Sequence, residues 1–250
     1  MTPEGSELIY GAHPVEEVLR AGRRRVHRVL VSGSGRPSVL EAAKHASIPV
    51  ERVERSVLDS AGDHHQGVVA EVGPYPYSDL HSILEAVSAS SGRALILILD
   101  QLQDPQNLGT LIRTADAVGV DGILLPKRGA AGVTPAVVSA SSGASEHLRI
   151  ARINLARAMD ELKKGNVWIA GLENETDARD IYAAELEPPL AIVVGAEGHG
   201  LRRLVRESCD YLVRIPIQGS VGSLNAAVAG SIALYESRRL KFVLKDSKSS

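Results

Sequence analysis

The feature that most constrains the fold is an alternation of short apolar runs with helix-like segments, which begins at Ala94. A short, continuous apolar run is typical of a strand covered on both faces, and alternation with helices is typical of a parallel sheet. The predicted strands contain the sequences ALILILD, GILLP, VWIAGLE, LAIVVG and LVRIPI. The second half of the chain is therefore predicted to be an α/β domain with a mostly parallel sheet.

The N-terminal part of the chain has a smaller pattern of its own. Residues 12–22 carry Val15, Val18 and Leu19 on one face and are predicted to be helical, and three short strand-like runs follow among further helical segments. A stretch rich in Pro, Gly and Ser then marks a connection between domains. We predict a small α/β domain at residues 1–74, a linker at 75–93 and the parallel-sheet domain at 94–250.

Composition narrows the function without fixing it. The 250 residues carry a formal net charge of −2, so a nucleic-acid partner would have to be met by a local basic patch. The single cysteine, Cys209, cannot form an intrachain disulfide, and the Cys and His residues lack the spacing of a metal site. The apolar runs are too short to span a membrane, and the N-terminus has no signal-peptide pattern. We expect a cytoplasmic protein with no metal and no membrane contact.

In parallel α/β sheets, ligands bind beyond the carboxyl ends of the strands, so the loops there are the places to examine. The first of these loops leads into the sequence DPQNLGTLIRTADAVG. Asn107 is predicted to cap a helix that begins at Leu108 and carries an apolar stripe. Arg113 falls on the opposite side, one turn after Gly109. Spacing alone slightly favours a solvated surface arginine over a functional one.

The second loop, in LAIVVGAEGHGLRRLV, has three glycines close together after a predicted strand. The glycine pattern is neither the dinucleotide-binding fingerprint nor a phosphate-binding P-loop. Glu197 lies between two of these glycines. Two interpretations of these glycines remain open: the backbone must approach another group closely, or the loop is a flexible turn.

The third loop, in RIPIQGSVGSLNAAVAG, crowds glycine and serine after the last predicted strand. Ser223 is predicted to cap the long helix that follows. One face of this helix carries only small residues and allows another helix, of the same chain or of a second subunit, to come close. That face consists of Ala226, Ala229, Gly230 and Ala233, opposite Leu224, Val228, Ile232 and Tyr235.

Together the three loops resemble, in order and separation, the three motifs of the SpoU (TrmH) branch of the SPOUT RNA 2'-O-methyltransferases. The matching residues are Asp104, Pro105, Asn107, Gly109, Arg113 and Ala115 in the first motif, Gly195, Glu197, Gly198 and Gly200 in the second, and Ile215, Pro216, Ser223, Leu224 and Asn225 in the third. The N-terminal part resembles the ribosomal-protein-like RNA-binding domain of bacterial large-subunit rRNA guanosine-2'-O-methyltransferases. Pattern alone predicts an ordinary unknotted sheet, whereas the resemblance implies a deep C-terminal trefoil knot.

The resemblance also implies a cofactor and site residues. S-adenosyl-L-methionine would be held by the backbone around Gly195, Ile215 and Leu224, and Arg113 would be the central catalytic residue. Further catalytic residues, which would orient Arg113 and the ribose by hydrogen bonds, are Asn107, Glu197, Ser223 and Asn225. The implied partners are a second copy of the chain, in a homodimer, and RNA, most closely 23S-type large-subunit rRNA.

Two groups of arginines are predicted to contact RNA phosphates, although solvated surface positions are the other interpretation. They are Arg20, Arg23, Arg24, Arg25 and Arg28 in the first group and Arg202, Arg203 and Arg206 in the second. Three alternative functions stay open: methylation of tRNA or of adenosine, a nucleotide-dependent enzyme of another class, and a non-catalytic RNA-binding ribosome-assembly factor.

Overall fold

The computed structural model describes residues 5–62 and 64–246, which divide into two compact units. The first unit combines the chain up to Pro76 with Gly132–His147, and the second combines Tyr77–Ala131 with the chain from Leu148 onward. The predicted bounds of 1–74, 75–93 and 94–250 stay a prediction. The contacts add a second, later segment of chain to the N-terminal unit.

The N-terminal unit contains a four-stranded sheet in the order β1-β4-β2-β3. β4 pairs antiparallel with β1 and β2, and β3 pairs parallel with β2. The predicted apolar face of the first helix is buried, with Val15 and Val18 fully covered. The elements are β1 (Glu7–Tyr10), α1 (Ala12–Ala21), β2 (Val26–Val31), α2 (Pro37–His45), β3 (Val50–Arg52), α3 (Arg55–Asp59) and β4 (Val68–Val72).

A buried ion pair ties the later segment into this unit. Arg24, whose side chain is fully buried, donates from Nε and Nη2 to the two carboxylate oxygens of Glu146 at 3.0 and 2.8 Å. The Tyr75 ring lies 4.9 Å from the guanidinium, and the Tyr75 hydroxyl donates to the carbonyl of Ser145 at 2.7 Å. Burial raises the pKa of Glu146, and Arg24 opposes that rise. The ion pair between Arg24 and Glu146 therefore joins the later segment to the rest of the N-terminal unit, and water does not reach its charged groups.

The second unit is built on a seven-stranded sheet in the order β7-β6-β5-β10-β8-β11-β9, in which every pairing is parallel. This confirms the predicted α/β class with a mostly parallel sheet; the trefoil knot stays a prediction. The elements after β4 are α4 (Leu80–Ala89), β5 (Leu95–Leu99), α5 (Pro105–Val118), β6 (Gly122–Pro126), α6 (Pro135–Ala140, in the N-terminal unit), β7 (Ile150–Ile153), α7 (Leu155–Lys164), β8 (Trp168–Leu172), β9 (Arg179–Asp180), β10 (Leu190–Val194), α8 (Arg203–Glu207), β11 (Tyr211–Arg214) and α9 (Ala226–Asp246).

The small residues of α9 pack within the same chain, on α5 and β10. A Cβ atom at Gly230 would lie 2.6 Å from Leu111 Cδ2, so a larger residue there would force the Leu111 side chain to shift. The small-residue face is thus not the surface that a second subunit would meet. On the part of α9 whose side chains the structure describes, the apolar residues Val228 and Tyr235 are 48% and 51% exposed.

Two predicted helix caps are wrong by a few residues. Asp104, not Asn107, caps α5: its carboxylate accepts from the backbone N–H groups of Gln106 and Asn107 at 3.0 and 3.3 Å. Pro105 then occupies the first helical position, where its missing N–H is harmless. Asn225, not Ser223, caps α9, through bonds from the next turn described below. Among the described residues, no helix is long and apolar enough to cross a membrane.

Candidate active site

The motifs predicted from sequence converge on a cavity of about 480 Å³ at the carboxyl ends of β8 and β10. A cavity of this size matches small-molecule cofactor sites, which occupy about 300–1,000 Å³. Its wall combines apolar side chains, such as Leu172 and Ile217, with glycine-rich backbone. The predicted residues that line it are Gly195, Glu197, Ile215, Ser223, Leu224 and Asn225.

Three side chains, one from each motif, meet in a closed hydrogen-bond cluster beside this cavity. Asn225 Nδ2 donates to Asn107 Oδ1 at 2.9 Å and to Glu197 Oε1 at 2.5 Å. Asn107 Nδ2 donates to the same Glu197 oxygen at 3.2 Å. Glu197 Oε2 receives none of these bonds, and one carboxylate oxygen therefore stays available to a substrate group. We call Asn107, Glu197 and Asn225 the amide–carboxylate cluster.

Asn225 has a second role in the local fold. Its Oδ1 accepts from the N–H groups of Ala227 and Val228 at 2.9 and 3.2 Å, which caps the first turn of α9. Ala226 N also donates to Glu197 Oε1 at 3.3 Å. The start of α9 and the amide–carboxylate cluster are consequently one hydrogen-bonded unit, and the third loop cannot move without disturbing the second.

The glycines of the second loop are required by the loop itself. A Cβ atom at Gly195 would lie 2.4 Å from the backbone of Gly200, which no side chain could tolerate. Ala196 and Gly200 exchange backbone hydrogen bonds at 3.2 and 3.0 Å, and Gly200 has a φ of +62°. The glycines therefore allow a tight turn whose backbone faces the cavity.

Two acids that were not predicted hold this loop in place. The buried carboxylate of Asp100, at the end of β5, accepts from Arg202 N at 2.9 Å and from Arg202 Nε at 2.8 Å. Glu173, which lines the cavity after β8, accepts from Leu201 N. Burial raises the pKa of Glu173 by more than this hydrogen bond lowers it. Both acids directly follow a strand, and this position was the only feature of the sequence that could have indicated their role.

Arg113 lies apart from the cavity. It is exposed on α5, as the helical spacing predicted, and Leu108, Leu111 and Ile112 on the other side are buried. With the side chains that the structure describes it makes no hydrogen bond or ion pair, and it does not line its own chain's cavity. Its charge is fully available to another molecule.

Most of the predicted RNA-binding arginines are already paired with acids. Arg24 binds Glu146 and Glu7, and Arg28 binds Glu71 and Glu51. In the second group, the ion-pair partners are Asp100 for Arg202, Glu207 for Arg203, and Glu175 with Asp177 for Arg206. Arg24 is buried and cannot contact RNA, so the prediction is wrong for that residue. Arg25 in the first group is exposed.

Comparison with known proteins identifies the family. The model of the SpoU rRNA methylase family matches residues 94–235, and the model of the RNA 2'-O ribose methyltransferase substrate-binding domain matches residues 8–78. The chain belongs to the SpoU family of RNA methyltransferases. A TrmH family protein of Staphylococcus haemolyticus, named as a tRNA/rRNA methyltransferase, is 41% identical over 248 residues, which cover 96% of this chain and 98% of that protein. YacO of Bacillus subtilis, also named so, is 41% identical over 236 residues, which cover 92% and 94%.

Solved SpoU structures share the fold across almost the whole chain. AviRb of Streptomyces viridochromogenes, solved in complex with AdoMet, is 27% identical with a TM-score of 0.81, over 96% of this chain and 92% of that one. The predicted family and fold are confirmed, and the prediction of S-adenosyl-L-methionine agrees with the cofactor of this SpoU family member. Within the described residues, no group of three or more His, Cys, Asp or Glu side chains is placed to hold a metal ion.

Proposed function

We propose that this member of the SpoU family transfers a methyl group from S-adenosyl-L-methionine to a ribose 2'-hydroxyl, in a guanosine of 23S-type large-subunit rRNA. The observation that carries the proposal is the amide–carboxylate cluster, in which Asn107, Glu197 and Asn225 from the three sequence motifs meet beside a cofactor-sized cavity. A cytoplasmic location is part of this proposal.

The cofactor would lie against the backbone around Gly195, Ile215 and Leu224, which line the cavity. When bound, S-adenosyl-L-methionine supplies a sulfonium methyl group, which is already activated for transfer. The protein must then hold the ribose hydroxyl in line and favour loss of its proton. Ser223, which also lines the cavity, and the amide–carboxylate cluster are the polar groups placed to orient the ribose.

Arg113 would bind the phosphate next to the target ribose and stabilise charge that develops on the 2'-oxygen. A guanidinium stays protonated in proteins, so Arg113 is a poor proton acceptor. Its five N–H donors and its lack of partners among the described residues suit a phosphate ligand. The proton would leave to that phosphate or to water.

The proposed assembly is a homodimer in which Arg113 of one protomer serves the cavity of its partner. Two observations support it: Arg113 does not line its own cavity, and the apolar side chains of Val228 and Tyr235 are exposed on α9. Leu224, which precedes α9 and lines the cavity, is 39% exposed, and Val228 in the first turn of the helix is 48% exposed. Covering this surface would remove apolar area from water and complete the site at once.

Ribosomal RNA is preferred over tRNA because a unit that resembles a substrate-binding domain precedes the catalytic unit. The deciding experiment is transfer of a tritiated methyl group to unmodified large-subunit rRNA and to unmodified tRNA, followed by mapping of the labelled nucleotide. Label on tRNA alone, or on adenosine, would replace the rRNA guanosine proposal. If the protein transferred no label and calorimetry detected no S-adenosyl-L-methionine binding, a non-catalytic RNA-binding role would take its place.

A further inference from the structure

A second cavity, of about 540 Å³, lies at the carboxyl ends of β6 and β7, and the active-site residues do not line it. Its charged lining is entirely basic, with no carboxylate among the described residues that form its wall. The lining residues are Pro126, Lys127, Arg128, Ile153, Asn154, Leu155, Ala156, Arg202, Arg203, Leu204 and Val205. We call this cavity the basic cleft.

The charges of the basic cleft are not equally free. Arg202 is bound to the buried carboxylate of Asp100, and its charge is neutralised there. Arg203 pairs with Glu207 one turn along α8, but such an exposed pair contributes little and is easily exchanged for another anion. Lys127 and Arg128 are exposed and have no ion-pair partner in the part of the chain that the structure describes. The cleft therefore presents three cationic side chains that an anion could reach.

Two side chains form hydrogen bonds with the backbone at the cleft. Arg152 donates from Nη2 to the carbonyl of Lys127 at 2.9 Å, and its guanidinium lies 5.7 Å from the centre of the Tyr77 ring. On the other wall, Asn154 Oδ1 accepts from Arg157 N at 3.2 Å and caps α7. The positive end of that ten-residue helix thus opens on the same cleft.

The floor of the cleft is apolar, whereas its rim is cationic. Pro126, Leu155 and Val205 are buried beneath it, and Leu204 is 59% exposed at its edge. A phosphodiester chain has this same division, because its phosphates are anionic while its sugar and base faces can pack on apolar atoms. A free phosphate ion would use the rim but not the floor.

The basic cleft and the cofactor cavity share one edge of one sheet. β5 separates β6 from β10, and strands are spaced about 4.8 Å apart, so the ends of β6 and β10 lie on the order of 10 Å from each other. Arg202 links the two sites directly: it lines the cleft and anchors the loop that carries Glu197 and Gly200. A chain bound in the cleft would continue toward the amide–carboxylate cluster.

We propose that the basic cleft binds the phosphodiester backbone of the RNA substrate beside the target nucleotide, an inference that rests on the proposed RNA methylation. Lys127, Arg128 and Arg203 contact the phosphates, and the apolar floor receives the sugar and base of a neighbouring unpaired nucleotide. These contacts set the register of the RNA on the catalytic unit, so they are separate from the groups that act on the 2'-hydroxyl.

The test compares the K127Q/R128Q variant with R93Q/K164Q, which removes the same charge from exposed positions near the amino ends of the strands. RNA binding is measured by filter retention of unmodified large-subunit rRNA over a series of salt concentrations. Loss of two phosphate contacts should weaken binding tenfold or more and make the slope of log K against log[salt] shallower by about 1.4–1.8. The control should match the wild type, and S-adenosyl-L-methionine binding and thermal unfolding should be unchanged in both variants.

If all three proteins had the same RNA affinity and the same salt slope, the proposed RNA binding by the basic cleft would be refuted. The proposed methyl transfer would not be affected by that result. A loss shared by the control would also overturn it, because the effect would then be one of net charge alone. If the wild type itself neither bound nor methylated RNA, the proposed function would fail first and the inference with it. Both proposals would be supported if the wild type methylated RNA and the K127Q/R128Q variant did so only at a much higher RNA concentration.

Discussion

The side-chain amide of Asn225 donates to the carboxylate of Glu197 while its oxygen caps α9, so one residue links the catalytic cluster to the start of a helix. Asn225→Ala should lower stability by about 1 kcal/mol through loss of the cap and reduce methyl transfer by about 100-fold or more. Asn225→Asp keeps an oxygen for the cap but places a second carboxylate beside Glu197. We expect it to keep the cap but to lose stability through repulsion between the two carboxylates, and to be as inactive as the alanine variant, by chemical denaturation and tritium transfer. Full turnover in Asn225→Asp would contradict the role of the donated bonds.

Arg113→Ala should abolish methyl transfer and leave folding and S-adenosyl-L-methionine binding unchanged. The residue is exposed and has no partner among the described residues, so its loss should shift stability by no more than about 0.5 kcal/mol. Arg113→Lys, which keeps the charge without the forked donors, should retain only a small part of the activity. Wild-type turnover in Arg113→Ala, measured by tritium transfer, would rule out the proposed catalytic role.

Mixing two inactive variants tests whether the site is shared between protomers. A heterodimer of Arg113→Ala and Asn225→Ala has one site with both residues intact if Arg113 serves the partner's cavity. Activity should therefore reappear when the two proteins are mixed and allowed to exchange subunits. If each protomer used its own Arg113, every site in the mixture would lack one residue and no activity would return. Mixing Arg113→Ala with itself is the matched control.

Removing one member of the buried pair Arg24–Glu146 should destabilise the N-terminal unit strongly. Arg24→Met leaves a buried carboxylate without its main partner, which costs about 3–5 kcal/mol in comparable pairs. The double variant Arg24→Met/Glu146→Leu removes both charges and should recover much of that loss. Denaturant unfolding of the two single variants and the double variant gives the coupling free energy. Additive losses would show that the two side chains do not depend on each other.

Glu173 should make the stability of the second loop depend on pH. Its pKa is raised above the ordinary value of 4.5 in the folded protein, so the unfolded chain loses this proton at lower pH than the folded chain does. Stability should therefore fall as pH rises from the ordinary value through the raised one. Glu173→Gln keeps an oxygen for Leu201 N and has no charge, so its advantage in unfolding temperature over the wild type should grow from acid to neutral pH. A constant difference would contradict the raised pKa.

The predictions from sequence succeed where the physical cause is local. The apolar runs from Ala94 onward are strands because both faces of the parallel sheet are covered, and the stripe on α5 is buried with Arg113 outside it. The two short strands Glu7–Tyr10 and Arg179–Asp180 were missed, since so few residues carry little pattern. Helix starts were misplaced because several cap-forming residues stand in a row, and only the folded backbone selects Asp104 and Asn225 among them.

The predictions that failed at the site did so for a different reason: the residues that contact each other there are far apart in the sequence. Asp100 and Arg202 are 102 residues apart, and neither sequence neighbourhood indicates the other. Arg24 and Glu146 are separated by 122 residues, so an arginine predicted to meet RNA proves to be buried. The members of the amide–carboxylate cluster could be named in advance only because their three motifs occur together; their hydrogen-bond geometry could not.

The N-terminal unit is assembled from two pieces of chain, since Gly132–His147 joins residues up to Pro76. A protein cut after Pro76 would consequently not release a finished domain. The shorter fragment would keep Arg24 without Glu146, and the longer one would expose Ser145 and Glu146 that Tyr75 and Arg24 normally cover. To move this substrate-binding unit to another protein, both pieces of chain would have to be transferred together.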